Sequence, residues 1–362
     1  MTVLGNLDRK RIVVVCGSGG VGKTTVSAAL ALGLAREGRR VTILAVDPSR
    51  RLATSLGLPR KPGERTTVHA NGVKLDALLL DTKRTFDELV EHHAGSPERR
   101  DRILSNRFYQ RMADTLSGTH EYMAMERLYE LATTEDWERI VIDTPPTRSA
   151  LSFIDAPKRM TDFLGGHMLR WLLWPYRTGG KAGLKGMSLG ARTLSKTIGR
   201  VAGAELLQDL GEFLAAFEGM YEGFKQRAVE VTELLRDRAT GFVIVTAPER
   251  RSLEEARHFV DRLTPAGMDL VSVLVNRWTK APSARAPEEV RAQLARGTTK
   301  DRVVSAALEN AERLAALEER GHAAVEPFHR SHPGVPLALV PQLPGDVHDV
   351  EGLERLIEHL SS

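Results

Sequence analysis

Seven apolar runs rich in β-branched residues punctuate the chain: residues 12–16 (IVVVC), 41–46 (VTILAV), 73–80 (VKLDALLL), 140–143 (IVID), 242–245 (FVIV), 270–276 (LVSVLVN) and 336–340 (PLALV). Their mostly continuous apolar character, rather than a strict alternation, marks strands buried on both faces. The intervals carry helical patterns, of which residues 24–36, rich in Ala and Leu, are the clearest. Strands alternating with helices predict an α/β fold, a mostly parallel central sheet flanked by helices. The first and last strands lie at opposite ends of the 362 residues, so the sheet is expected to use the whole chain. That predicts one domain, 1–362, with helical insertions at about 84–131 and 151–238, rather than two domains in series. Residues 283–333 are charged and Ala-rich and read as surface helices ahead of the last strand.

Between the first strand and the first helix runs Gly17-Ser18-Gly19-Gly20-Val21-Gly22-Lys23-Thr24, followed by Thr25. Strand, glycine loop, GK[ST] and helix is the P-loop arrangement in its required context. Glycines let successive N–H groups curl inward around an anion, and the helix N-terminus adds partial positive charge. Lys23 is placed to reach the β/γ-phosphates, and the Thr24 hydroxyl to ligate Mg²⁺. The loop predicts a P-loop NTPase fold that binds a nucleoside triphosphate, with ATP and Mg²⁺ as the expected ligands.

Composition narrows the rest. Hydrophobic residues at 42% and charged residues at 27% are those of an ordinary globular protein, and a net charge of +4 is too small to argue for nucleic acid. Cys16 is the one cysteine, at the end of the first strand, so one chain offers no thiolate cluster for a metal. It reads as a buried structural residue. The N-terminus lacks the apolar core of a secretory signal, and no apolar run reaches membrane-spanning length, which points to the cytoplasm.

Three further residues end strands on the side where α/β sheets bind ligands. Asp47 follows the second strand and is placed to orient an attacking water at the γ-phosphate, although Asp47-Pro48 also reads as a turn opener. Asp143 ends the apolar run Ile140-Val141-Ile142 in a Walker B pattern and is placed to hold the Mg²⁺ shell opposite Thr24. Asn276 ends a later strand, and its amide, donor and acceptor at once, suits an adenine edge; a strand-end cap is the plainer reading.

Taken in order, GSGGVGKTT, AVDPSRRLATSLG, GTHEYMAMERLYEL, VIDTPPTRSALSFIDAPKRM and VLVNRW resemble the ArsA-type anion-transporting ATPases, a family that includes arsenite-pump ATPases and the ATPase that targets tail-anchored membrane proteins. The resemblance runs from Arg11 to about Leu356. It implies a dimeric ATPase in which residues 17–25 bind phosphates, Asp47 lies in the first switch, Asp143 in the second, and Asn276 reads adenine. Two departures stand out. The family's loop carries a lysine at its second position that reaches the partner's phosphates, and here that position is Ser18. The cysteines that arsenite pumps and many tail-anchor ATPases use are absent, Cys16 apart. The resemblance therefore leaves a homodimer, or a heterodimer with a paralogue that keeps the lysine, and an anion-transport or membrane-protein partner or client. A partitioning or positioning ATPase of the chromosome or division-site type, and a weakly hydrolysing ATP-sensing subunit, are the alternatives.

Residues 163–204 contain no acid, seven basic residues, and Trp171 and Trp174 beside Leu172 and Leu173. Such a segment suits an anionic membrane surface or an apolar client, and suits equally a solvated basic face over ordinary packing.

Overall fold

The computed structural model describes residues 2–46, 50–57, 61–112, 119–145, 155, 213, 221–281 and 301–361. An eight-stranded sheet forms its centre, in the order β3-β4-β2-β5-β1-β6-β7-β8. The strands are β1 (Ile12–Gly17), β2 (Val41–Ala45), β3 (Arg65–Ala70), β4 (Val73–Leu79), β5 (Arg139–Asp143), β6 (Thr240–Thr246), β7 (Leu270–Trp278) and β8 (Leu337–Pro341). All pairings are parallel except β3 with β4. The parallel strands are the seven apolar runs, within a few residues at either end.

The exception has a local cause. β3 and β4 form a hairpin in which Ala70 pairs with Val73 around Asn71-Gly72. Both turn residues have positive φ, 48° and 80°, as a type I′ turn requires. β3 sits at the sheet edge and is largely exposed, so its sequence (RTTVHA) lacks the apolar continuity of the inner strands.

Two cores follow from the alternation of side chains across the pleat. Ile12, Val14 and Cys16 of β1 face one layer, with Ile140, Ile142, Phe242 and Ile244. Val13 and Val15 face the other, with Ile43, Val141, Val243 and Val245. The second layer is built on α2 (Lys23–Ala35), which is buried along nearly its whole length, and on α11 (Val350–Leu360), which packs against α2. Gly33 of α2 permits the close approach of the N-terminal helix α1 (Val3–Leu7), because a Cβ there would lie 3.0 Å from Leu4 Cδ1. The first layer includes α4 (Thr82–His93), α7 (Thr119–Thr134), α8 (Tyr221–Arg236), α9 (Arg250–Leu263) and α10 (Asp301–Ser331). Helix therefore fills much of the predicted insertion at 84–131, and α8 closes the one predicted at 151–238. The basic, Trp-bearing stretch 163–204 lies outside the described residues. Among the described residues no helix is long and apolar enough to cross a membrane.

One ion pair inside the first layer carries a measurable consequence. Glu126 of α7 is 8% exposed and sits 3.1 Å from Arg227 Nε of α8. Its second oxygen is buried without a hydrogen-bond partner among the described residues. Burial pushes the Glu126 carboxyl up to about 7; Arg227 opposes the shift, and Glu130 and Glu230 add to it. The folded protein thus holds this proton more tightly than the unfolded chain does. Stability is full below the unfolded value of 4.5, falls as pH rises, and levels off above about 7. The expected fall is of order 3 kcal/mol, and Glu126→Gln should flatten it. Urea denaturation from pH 4.5 to 8 is the measurement, and superimposable profiles for parent and variant would remove the assignment.

Candidate functional site

The sheet order creates the site. From β1 the chain crosses through α2 to β2, which lies beyond β5, while β6 lies on the opposite side of β1. The strand direction reverses its march at β1, so a crevice opens at the carboxyl ends of β1 and β5. Residues 17–24 emerge there.

The loop geometry requires its glycines at two points. Gly17 has φ 148°, and a Cβ on it would lie 2.1 Å from the Val245 carbonyl oxygen, where β1 runs hard against β6. Gly22 has φ 94°, and a Cβ there would lie 2.4 Å from Asn276 Nδ2. Lys23, the first residue of α2, is 6% exposed, and its Nζ donates to the Ser18 carbonyl oxygen at 2.9 Å. The ammonium is thus drawn back across the mouth of the loop it belongs to. Ser18 Oγ is buried and has no hydrogen-bond partner among the described residues. A curled loop with a buried lysine across it, a buried hydroxyl and helix amides behind is a cradle that fits phosphate oxygens.

Asp143 stands opposite. It pairs in register with Val15 of β1 and Ala45 of β2 and is 1% exposed. Ser27 Oγ, one turn beyond Thr24 on α2, donates to Asp143 Oδ1 at 3.2 Å. The Thr24 hydroxyl and the Asp143 carboxylate are hard oxygen donors of the kind Mg²⁺ takes, so the donor set fits that ion. Thr144, next along, donates through Oγ1 to the Val15 carbonyl at 2.8 Å and fastens β5's end to β1. Cys16 lies fully buried between these groups, and burial pushes its thiol up to about 12. A thiol so shifted is inert at neutral pH, which makes Cys16 packing and not a nucleophile.

Asn276 reaches the loop from β7. Its Nδ2 donates to the Val21 carbonyl oxygen at 2.8 Å, so the amide does brace the backbone, as the capping reading expects. It also lines a cleft of about 300 Å³ with Gly22, Thr25, Arg277 and residues 341–347 after β8. The amide has a carbonyl oxygen and a second N–H besides the bond to Val21.

Asp47 falls outside the described residues. Its neighbour Val46 is buried, and both of Val46's backbone groups are fixed: the N–H donates to the Asp143 carbonyl at 3.0 Å, and His120 Nε2 bonds the Val46 carbonyl at 2.8 Å. Ser27, His120 and the 341–347 loop were not legible as site residues in the sequence. Ser27 and Asp143 are 116 positions apart, and no spacing announces their contact.

Residues 10–301 match the family model for anion-transporting ATPases. The chain is 29% identical over 293 residues to an ATPase GET3 of Malassezia globosa, covering 80% of each chain. It is 27% identical over 276 residues to the ATPase ARSA2 of Chlamydomonas reinhardtii, covering 75% of this chain and 69% of that one. A putative arsenical pump-driving ATPase 1 of Aquifex aeolicus is 26% identical over 273 residues, 74% of this chain and 63% of its own.

Proposed function

Because the chain belongs to the anion-transporting ATPase family, we propose that this P-loop ATPase works as a dimer whose nucleotide-driven closure acts on a membrane-protein client or an anion-transport partner. The single observation that carries the nucleotide part is the buried Lys23 drawn across a glycine loop that faces Asp143. Lys23 and the loop amides of residues 17–25 hold the phosphates. Thr24 and Asp143 would hold Mg²⁺, which when bound offsets phosphate charge. Asp47 accepts a hydrogen bond from the attacking water and aims it at the γ-phosphorus. The cleft beside Asn276 takes the adenine, with the amide reading its edge.

The chain as a whole, 1–362, acts as one domain with its two helical insertions at about 84–131 and 151–238. A sheet that draws strands from both ends of the sequence supports this. The insertions are the natural place for a client, and the run of Trp and basic residues at 163–204 suits a membrane protein or an anionic lipid surface met from the cytoplasm. Ser18 favours a second form of the same reading, in which this chain pairs with a lysine-bearing paralogue that completes the hydrolysing site on this chain.

The test is turnover against binding. Asp47→Asn should retain MgATP affinity while hydrolysing far more slowly, by about a hundredfold as for loss of a positioned base. Steady-state hydrolysis and calorimetric titration measure the two. Equal turnover in variant and parent would sink the assigned role.

A further inference from the structure

His120 opens α7 and spends both ring nitrogens on other elements. Nε2 lies 2.8 Å from the Val46 carbonyl oxygen, and Nδ1 lies 2.6 Å from Thr82 Oγ1 at the start of α4. A carbonyl can only accept, so Nε2 carries a hydrogen, and the Thr82 hydroxyl can then donate to Nδ1. The ring thus has a fixed orientation set by two helices. Those helices are tied to each other further on, where Arg127 of α7 bonds Glu88 of α4 at 2.9 Å. The Glu126–Arg227 pair roots α7 in α8.

What His120 grips is the last described peptide of the second strand. The regular ladder ends one residue earlier, where Leu80 N–H donates to the Ala45 carbonyl at 2.9 Å. Beyond it the Val46 carbonyl has no strand neighbour to bond among the described residues, and the imidazole takes that place. The Val46 N–H is meanwhile held by the Asp143 carbonyl. The 45–46 peptide is therefore held by the strand that carries Asp143, and the Val46 carbonyl, which opens the 46–47 peptide, is held by His120. Asp47 follows Val46 directly in the sequence, joined to it through that carbonyl carbon.

We propose that His120 is a positioning residue for hydrolysis: through the Val46 carbonyl it orients the peptide from which Asp47 departs. The inference rests on the reading of Asp47 as the water-orienting carboxylate. His120 touches neither nucleotide nor water, and its effect falls on the alignment of the reacting groups. Misalignment of that kind lowers the rate without loosening ground-state binding.

Asparagine and glutamine separate the two bonds, since an Asn amide reaches only as far as Nδ1, where its oxygen can accept from Thr82, whereas a Gln amide nitrogen replaces the donor Nε2. The full chain is compared as parent, His120→Asn, His120→Gln, Thr82→Val and Asp47→Asn. Hydrogen exchange of the peptide covering residues 44–50 is read without nucleotide, and MgATP affinity and kcat are read separately. His120→Asn is expected to speed that exchange about tenfold and lower kcat about tenfold, with affinity within about twofold, the loss of one buried hydrogen bond. His120→Gln should recover most of both losses. Thr82→Val, which frees the ring from α4 but leaves it in place, should show the same pattern at about threefold, and keeps the test open if His120→Asn fails to fold. Parental exchange in His120→Asn, equal damage in Asn and Gln variants, or affinity falling in step with kcat would each overturn the proposal. Parental turnover in Asp47→Asn, with exchange still altered in His120→Asn, would instead defeat the water-orienting reading and the catalytic part of the proposal with it.

Discussion

Lys23→Ala should leave a folded protein that binds ATP at least about a hundredfold more weakly, because a buried charge-assisted contact to the phosphates is worth several kcal/mol. The side chain is 6% exposed, so its ammonium acts at low effective dielectric, where Coulomb attraction to phosphate is strongest. Without nucleotide its Nζ donates to the Ser18 carbonyl, and a bond of that charge-assisted kind is worth about 2 kcal/mol to the fold, less than the contact to phosphate. Affinity and stability should therefore separate. Calorimetric titration with MgATP, alongside thermal unfolding of the nucleotide-free protein, reads both. An affinity within threefold of the parent would remove Lys23 from the phosphate site. A fold lost together with affinity would instead make Lys23 a structural residue of the loop.

The same loop shows where sequence reading succeeds. Gly17 to Thr24 are contiguous, and their conformation is set by local backbone and by the strand and helix on either side, so the pattern carries the geometry of the loop. Inner strands are legible for a related reason: burial on both faces forces continuous apolar runs, and six of the seven runs became inner strands while the seventh forms the edge strand β8. β3 escaped because it is an exposed edge strand, and its signal was the Asn71-Gly72 turn rather than hydrophobicity. Contacts across the sheet were out of reach. Ser27 meets Asp143 because α2 and β5 lie side by side, and Asn276 meets Val21 because β7 runs two strands from β1. Asn276 braces the loop through Val21 and also lines a cleft, neither of which the sequence alone could place. His120 lay within a stretch matched only as a family pattern, and its two bonds depend on the ends of β2 and α4 converging.

Ser18 sets the largest effect still to be measured. In the family this chain belongs to, the resemblance implies two active sites face to face, each completed by a lysine from the partner's loop. A cation brought from across an interface to the transferred phosphoryl group can be worth about three orders of magnitude in rate or more. Ser18 supplies a short uncharged hydroxyl in its place, and that hydroxyl is buried without a partner among the described residues, beside the carbonyl that Lys23 bonds. A homodimer of this chain would lack the cation at both sites. Pairing with a lysine-bearing paralogue would restore it at one, the site formed by Lys23, Asp47 and Asp143 of this chain. The expected result is slow hydrolysis by the purified chain alone and an increase of at least about a hundredfold when the paralogue is added. Ser18→Lys should raise turnover in the homodimer by the same route. The competing arrangement is a homodimer in which Arg50, Arg51 or Arg148, each flanking a switch in sequence, supplies the missing charge. Steady-state hydrolysis by the chain, by Ser18→Lys and by the mixture decides between them. Fast turnover by the chain alone, abolished when one of those arginines is removed, would reject the hetero-pair and leave the homodimer.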